Sequence, residues 1–431
     1  MPSDEPIFPD GLRLLADWQK GDPEAKERLA AVLNAAIDGH CDESFGRAAA
    51  PDAVHLSGSI DLLTLGIVHD LYGLTSAEFY KGDPERYVRT VLITLRLLGM
   101  PKRYMSWPVY GFTAEALGQP MIYSDRFSPG TDPEETLVDA HTWQSLPAPD
   151  LSIGIPALLD DTLAFYRDLT GLEPVLHLSA PYSLAADIYG QEQLINALSR
   201  DPDLVDNFLD HLADTVHRPW IDHFFARHPN GWVELSDASG SPFFIGPTNC
   251  KNVAIRSIRR LVDQNPWGKR VYIANYRGDY VTQASRRRGS SRRRSSPGVE
   301  VEPMGLADLF DVKNSVCRDY VIRLADDRVP AAFYIEKAIE RNIPLFMGIG
   351  ATEIDRNSIA DPETKRHETV AMASEYVEAI KTVARAIARN GYDSKVPPWP
   401  GTVYFEDVSA ESSFELIEMI VGTTLEHGAL S

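Results

Sequence analysis

The chain has 431 residues, of which 44% are hydrophobic and 24% charged, as in a folded globular protein rather than a disordered one. Its formal net charge of −20 argues against nucleic acid as a partner, because phosphates would be repelled by most of the surface. No apolar run reaches the roughly 18 residues of a membrane span, and the acidic start is unlike a signal peptide. Three scattered cysteines fit a reducing compartment better than a disulfide framework. We therefore expect a cytoplasmic protein with no membrane contact.

The N-terminal region has the periodicity of helices. Leucine and alanine recur at helical spacing over 11–38, and Gly21-Asp22-Pro23 breaks this stretch into two amphipathic helices. Further helices are expected near 59–71 and 84–99. Residues 1–100 are thus predicted to form an N-terminal helical extension.

From residue 101 onward, short apolar runs alternate with helical stretches. This alternation predicts a parallel sheet with helical crossovers, and closure into a barrel is the economical arrangement for so many units. We predict the α/β class and a TIM-like (β/α)8 barrel over 101–431. The expected strands are 103–107, 174–179, 231–236, 270–276, 310–316, 343–349 and 402–406.

One segment does not fit the alternation. Residues 285–298, "SRRRGSSRRRSSPG", are too polar to pack and too repulsive to fold alone. The sequence predicts a mobile Arg/Ser-rich insertion here, acting as an anion-binding lid, a contact for an acidic partner, a phosphorylation site or a solvated loop.

Polar residues at the ends of the predicted strands are the candidate site. In a parallel barrel the carboxyl ends of all strands meet at one mouth, so side chains placed there can act together. Asp237 could be a general base, bind a cationic group or cap a turn. Arg277 offers a fork for a carboxylate or phosphate, or a structural pair with Asp279. His177 is the third catalytic candidate, and the alternative for it is a buried or hydrogen-bonded structural role. The predicted substrate-binding residues are Trp107, Ser179, Tyr182, Glu234, Asn275, Tyr276, Lys313 and Glu353.

Four stretches follow one another in the chain: "YMSWPVYGFTAEALGQPMIY", "EPVLHLSAPYSLAADIYG", "WVELSDASGSP" and "VYIANYRGDY". Together they resemble the uroporphyrinogen decarboxylase superfamily, which includes corrinoid-dependent methyltransferases. The resemblance implies a TIM-like barrel with a helical N-terminal extension, and it identifies the chain as a divergent member.

The differences from the family narrow the expected chemistry. The zinc-dependent members carry His-x-Cys-Gly where this chain has Asn275 and Arg277 before Gly278, and neither residue is a zinc ligand. The resemblance then implies metal-independent methyl (one-carbon) transfer, with no zinc and with a corrinoid or tetrahydrofolate-like carrier. Two alternatives are a decarboxylase or lyase in which Arg277 binds the substrate carboxylate, and a non-catalytic barrel that binds a tetrapyrrole or a carrier protein. The expected partners are a small-molecule substrate, a corrinoid carrier protein and a second copy of the chain in a homodimer.

Overall fold

The structure is a computed structural model, and it describes most of the chain. The described residues are 10–42, 52–100, 109–263, 267, 270–273, 308, 311–313, 315–316, 321–323, 331–392 and 401–430.

The N-terminal helices form where the sequence predicts them. The Gly21-Asp22-Pro23 break ends one helix and starts the next: the Asp22 carboxylate accepts a hydrogen bond from the Glu24 N–H, and proline occupies the first helical position. The predictions for 11–38, 59–71 and 84–99 are confirmed. The helices are α1 Gly11–Gln19, α2 Pro23–Ile37, α3 Asp61–Tyr72, α4 Ser76–Tyr80 and α5 Pro84–Leu97.

The first sheet joins the two ends of the chain. It consists of β1 His55–Gly58, β7 Val321–Arg323, β8 Leu345–Ile349 and β9 Thr402–Phe405, in the order β1-β9-β8-β7. Every pairing in it is parallel. The predictions for β8 and β9 are confirmed, whereas β1 and β7 were not expected. Because β1 lies within the predicted helical extension, that region contributes to the sheet as well as to the helical layer. The division of the chain into an extension and a barrel domain stays a prediction.

The second sheet positions the candidate site. It consists of β4 Val175–Ser179, β5 Trp232–Ser236 and β6 Val271–Ile273, all parallel and in chain order. The predictions for β4 and β5 are confirmed, and so is that for 270–276 as far as Ile273. The predicted strand 103–107 and the 285–298 segment lie outside the described residues. The strands β2 Met121–Ile122 and β3 Gly130–Thr131 form a short antiparallel pair. Neither of them is hydrogen-bonded to a described strand of the two larger sheets.

The predicted strand at 310–316 is wrong. Asp311–Lys313 is helical, and the Ser315 N–H donates to the carbonyl of Asp311 in the pattern of a helical turn. The segment was predicted as a strand because its apolar and charged residues alternate, as they do in strands.

The remaining helices lie between the strands of the two sheets or after the last of them. They are α6 Val109–Glu115, α7 Gly154–Thr170, α8 Pro181–Tyr189, α9 Gln191–Arg200, α10 Pro202–Leu212, α11 Arg218–Arg227, α12 Pro242–Asn249, α13 Ile255–Asp263, α14 Ala331–Arg341, α15 Ala351–Ile354, α16 Pro362–Arg389 and α17 Phe414–His427. The α10–α11 and α12–α13 junctions are π-helical turns, Ala213–His217 and Cys250–Ala254, and 3₁₀ turns occur at Trp143–Ser145 and Arg356–Ser358.

The protein is therefore of mixed α/β class, with parallel sheets and helical crossovers. One hydrophobic core runs through the helices and both sheets. Between the strands that the structure describes, no hydrogen-bonded pairing joins the two sheets into a closed barrel. The closed (β/α)8 form stays a prediction.

Candidate functional site

The ends of β4 and β5 lie side by side. Ser179 and Ser236 are partners in the register, and the Ala180 N–H donates to the Ser236 carbonyl at 2.7 Å. The residues that directly follow β4 and β5 therefore lie side by side at the same edge of the sheet, as expected for neighbouring parallel strands.

Asp237 is a buried carboxylate at this edge. Its side chain is only 6% exposed, and its Oδ1 accepts a hydrogen bond of 3.0 Å from the Ser183 hydroxyl. The Ser183 oxygen in turn accepts the Ser239 N–H at 3.2 Å. A Cβ atom at Gly240 would collide with both carboxylate oxygens, so the loop after β5 needs glycine there to close over the acid. The result is an acid of fixed orientation, suited to accept a proton or a hydrogen bond.

A row of polar side chains crosses the sheet below the strand ends. His177, Glu234 and Tyr272 are register partners on β4, β5 and β6. The Tyr272 hydroxyl donates to Glu234 Oε2 at 2.8 Å, and His177 Nδ1 lies 3.6 Å from Glu234 Oε1. Because side chains alternate along a strand, this row shares a sheet face with Ser179 and Ser236, whereas leucine and valine occupy the other face. Glu234 is thereby fixed in place, about 7 Å below Ser236 along the strand.

Tyr182 is buried in the first turn of α8, next in sequence to the serine that holds Asp237. Its side chain is 1% exposed, and no hydrogen bond to its hydroxyl is found within the described part of the chain. Burial raises the pKa of Tyr182, and the negative charge of Asp237 raises it further. The phenol therefore keeps its proton at neutral pH and can act as a hydrogen-bond donor.

His217 supports the end of β4 and was not predicted. It is fully buried on the π-helical turn, with Nε2 2.7 Å from the carbonyl oxygen of Ser179 and Nδ1 3.0 Å from that of Leu212. The Ser179 N–H is bonded to the Thr113 hydroxyl at 3.1 Å. Burial lowers the pKa of His217. Side chains on two helices thus fix the main chain of Ser179.

Asp187 is a second residue that was not predicted. It lies on α8 one turn beyond Ser183, a spacing that places both side chains on one helix face. Its side chain is half-buried, and no hydrogen bond or ion pair reaches it from the residues that the structure describes. Burial raises the pKa of Asp187 to about 7. A carboxyl group that titrates near neutral pH is a common property of functional sites.

The remaining predicted residues lie on other parts of the chain. Glu353 accepts a hydrogen bond of 2.6 Å from the Gly350 N–H and so caps α15 at the end of β8. Lys313 is nearly buried on its helical turn. Four predicted residues lie outside the described ranges: Trp107, Asn275, Tyr276 and Arg277. A shared site for Asp237 and Arg277 therefore stays a prediction.

Within the described ranges, no three His, Cys, Asp or Glu side chains are grouped so that they could hold a metal ion. The expectation of no zinc stays a prediction. Among the described helices, none has the length and apolar character that crossing a membrane requires.

Comparison with known proteins gives a match in structure but none in sequence. No protein-family model matches the chain, and no curated protein matches it. A solved structure of a methyltransferase from Methanosarcina mazei superposes with a TM-score of 0.57, covering 92% of this chain and 98% of that one at 14% sequence identity. The two chains share a fold. At this sequence identity the likeness assigns no role to any residue.

Proposed function

We propose that the protein is a divergent enzyme of the uroporphyrinogen decarboxylase superfamily, with a closed (β/α)8 barrel, that transfers a methyl group to or from a small molecule. The proposal rests chiefly on one observation: a buried, hydrogen-bonded carboxylate, Asp237, stands at the strand ends of a chain that has the fold of a methyltransferase over 92% of its length. In parallel α/β folds, ligands bind at the carboxyl ends of the strands.

The proposed role of Asp237 is to take a proton from the methyl acceptor. As the new bond to carbon forms and the bond between carbon and the donor breaks, the acceptor loses a proton, which passes to the carboxylate. Ser183 holds Oδ1 in position, and the Glu234 row lies one layer below. A corrinoid or folate-like carrier would supply the methyl group in this direction. In the reverse direction, the protonated Asp237 would return the proton to the small molecule as its methyl group leaves for the carrier. That carrier is proposed from the family resemblance, and the proton transfer to Asp237 does not depend on it.

An activity screen tests this function. The purified protein is incubated with methylcobalamin, cob(I)alamin, tetrahydrofolate and porphyrinogens, and absorbance and mass spectrometry report any change. Transfer of a methyl group supports the proposal. Loss of carbon dioxide from a porphyrinogen would favour the decarboxylase alternative, and a ligand that is bound but unchanged would favour the non-catalytic one.

Variants then assign the role of Asp237. Asp237→Asn should lower the rate by roughly 10²–10⁴ with little loss of ligand binding, because the proton acceptor is removed while the shape is kept. Ser183→Ala should have a smaller effect, since the carboxylate remains. Asp150→Asn is the control for loss of a charge: Asp150 is exposed and caps a turn at Ser152. Equal rates for Asp237→Asn and Asp150→Asn would refute the assigned role.

A further inference from the structure

The first turn of α12 is apolar on its outer side as well as on its inner side. Pro242 and Ile245 are buried, whereas Phe243 is 60% exposed and Phe244 is 46% exposed. A helix at a protein surface normally turns polar side chains outward, and a helix that is apolar all round is normally buried. The outer side of this turn therefore has the composition of a surface that is covered in the working protein.

Phe243 and Phe244 together form one aromatic patch, the Phe pair. Their ring centroids lie 5.1 Å apart and their planes meet at 89°, the edge-to-face arrangement that aromatic rings prefer. The two perpendicular rings present a face and an edge next to each other. A third ring can stack on the one and meet the other edge-on.

Main-chain geometry keeps the Phe pair close to Asp237. A Cβ atom at Gly240 would lie 2.4 Å from the Asp237 carboxylate, so the Cα atom of Gly240 is within about 4 Å of it. The Phe244 N–H donates to the Ser241 carbonyl at 3.1 Å, which closes a turn and keeps these two Cα atoms within about 7 Å. With about 3.8 Å between consecutive Cα atoms, the Cα atoms of both phenylalanines are at most about 15 Å from the carboxylate. One small molecule can reach both.

The exposed area of the Phe pair favours a small molecule over a protein partner. A phenylalanine side chain has about 200 Å² of surface. The two exposed fractions therefore leave roughly 200 Å² uncovered. A stable protein–protein interface buries about 800 Å² on each partner. The patch is thus about four times too small for a second protein, but it is large enough for one apolar ring.

We propose that the Phe pair is the apolar wall of the substrate site, and that the small molecule on which the protein acts carries an apolar ring, most favourably an aromatic one. This inference rests on the proposed function, because it takes the ends of β4 and β5 to be the substrate site. The ring packs against the Phe pair, while the atom that gains or loses the methyl group lies at Asp237.

Anisole tests this wall, because it joins an aromatic ring to an oxygen-bound methyl group. The control compound is 2-methoxyethanol, which has the same methyl and oxygen but no ring. In ligand-observed NMR titrations, the wild type should bind anisole more tightly than 2-methoxyethanol. The double variant Phe243→Ser/Phe244→Ser should weaken anisole binding about fivefold or more, because it loses both ring contacts.

The matched control variant is Leu425→Ser. Leu425 is 65% exposed on α17, three residues before Gly428, whose carbonyl bonds to the Val54 N–H at the amino end of β1. This variant removes an equally exposed apolar side chain from a place away from the strand ends. It should leave anisole binding unchanged.

Thermal unfolding and size-exclusion chromatography show whether something else covers the Phe pair. The double variant should melt close to the temperature of the wild type, because exposed side chains contribute little to stability. A much lower melting temperature, or failure to fold, would mean that the protein's own chain covers the rings, and it overturns the proposal. A change from dimer to monomer also overturns it, since a second copy is then the partner. So does anisole that fails to bind the wild type, or that binds the double variant as tightly.

The outcomes separate this inference from the proposed function. Once a ring-bearing substrate is found, the double variant should raise its KM about fivefold or more with little change in kcat, whereas Asp237→Asn lowers kcat. Methyl transfer with an unchanged KM in the double variant retains the function and loses the wall. Anisole binding through the Phe pair, without methyl transfer to any compound in the screen, retains the ring-binding site and loses the function.

Discussion

Replacing Asp187 by asparagine should remove a pH dependence from the stability of the protein. Burial raises the pKa of this carboxyl group from 3.8 to about 7 in the folded state. The folded protein therefore binds an extra proton between these values. The stability that the folded protein gains from this proton is fully present below about pH 4. It is lost as the pH rises through about 7. Asparagine has no proton to lose, so the variant keeps its stability across this range.

The pKa difference sets the size of the effect. A change from 3.8 to about 7 corresponds to at most about 4 kcal/mol in the free energy of unfolding. Because the side chain is only half-buried, solvent screens part of this. Between pH 5 and pH 8, the stability advantage of Asp187→Asn over the wild type should grow by about 1–3 kcal/mol.

Urea unfolding at pH 5, 6, 7 and 8 measures this difference. The control is Asp139→Asn, because hydrogen bonds from the His141 N–H and the Thr142 hydroxyl lower the pKa of Asp139, so its titration ends below this pH range. The stability difference for Asp139→Asn should be constant. If the difference for Asp187→Asn is also constant from pH 5 to 8, Asp187 is solvated or paired in the folded protein and the reasoning is refuted.

Three other predictions concern packing and metal content. Gly240→Ala should destabilise the protein by about 1–3 kcal/mol in urea unfolding, because its Cβ meets the Asp237 carboxylate, whereas Gly422→Ala, with open space in the exposed middle of α17, should stabilise it by about 0.5–1 kcal/mol. A destabilised Gly422→Ala would contradict this. His217→Ala should cost about 2–4 kcal/mol, through a cavity and the lost contact to Ser179, and an unchanged urea midpoint would count against that role. Elemental analysis should find well under about one zinc per chain, and stoichiometric zinc would overturn the metal prediction.

The sequence predicted correctly those strands in which apolar and polar residues alternate. "VLHLS" and "WVELS" alternate apolar and polar residues and became β4 and β5. Strand β1 has only four residues, including a histidine and a glycine, and it depends on pairing with β9 near the other end of the chain. The segment 310–316 shows the opposite error, because its alternation was real but its hydrogen bonds are those of a helical turn.

The candidate site was predictable only in part. Placing polar residues at strand ends found Ser179, Tyr182 and Asp237, which the structure brings to neighbouring strand ends, although their roles stay predictions. His217 gave no signal in the sequence, because its contact with Ser179 depends on how a π-helical turn packs against β4. Asp187 did give a signal in the sequence, because it is a single acidic residue within the apolar run of α8.

The pairing of β1 with β9 has a consequence for synthesis on the ribosome. The two strands lie in register from His55 and Thr402, and the Val54 N–H also bonds to the Gly428 carbonyl. At about 5–20 residues per second, β1 leaves the ribosome roughly 20–70 s before its partner exists. During that time Leu56, which is buried in the finished protein, has no strand beside it on the β9 side. A chain that stops before residue 402 therefore cannot complete the first sheet.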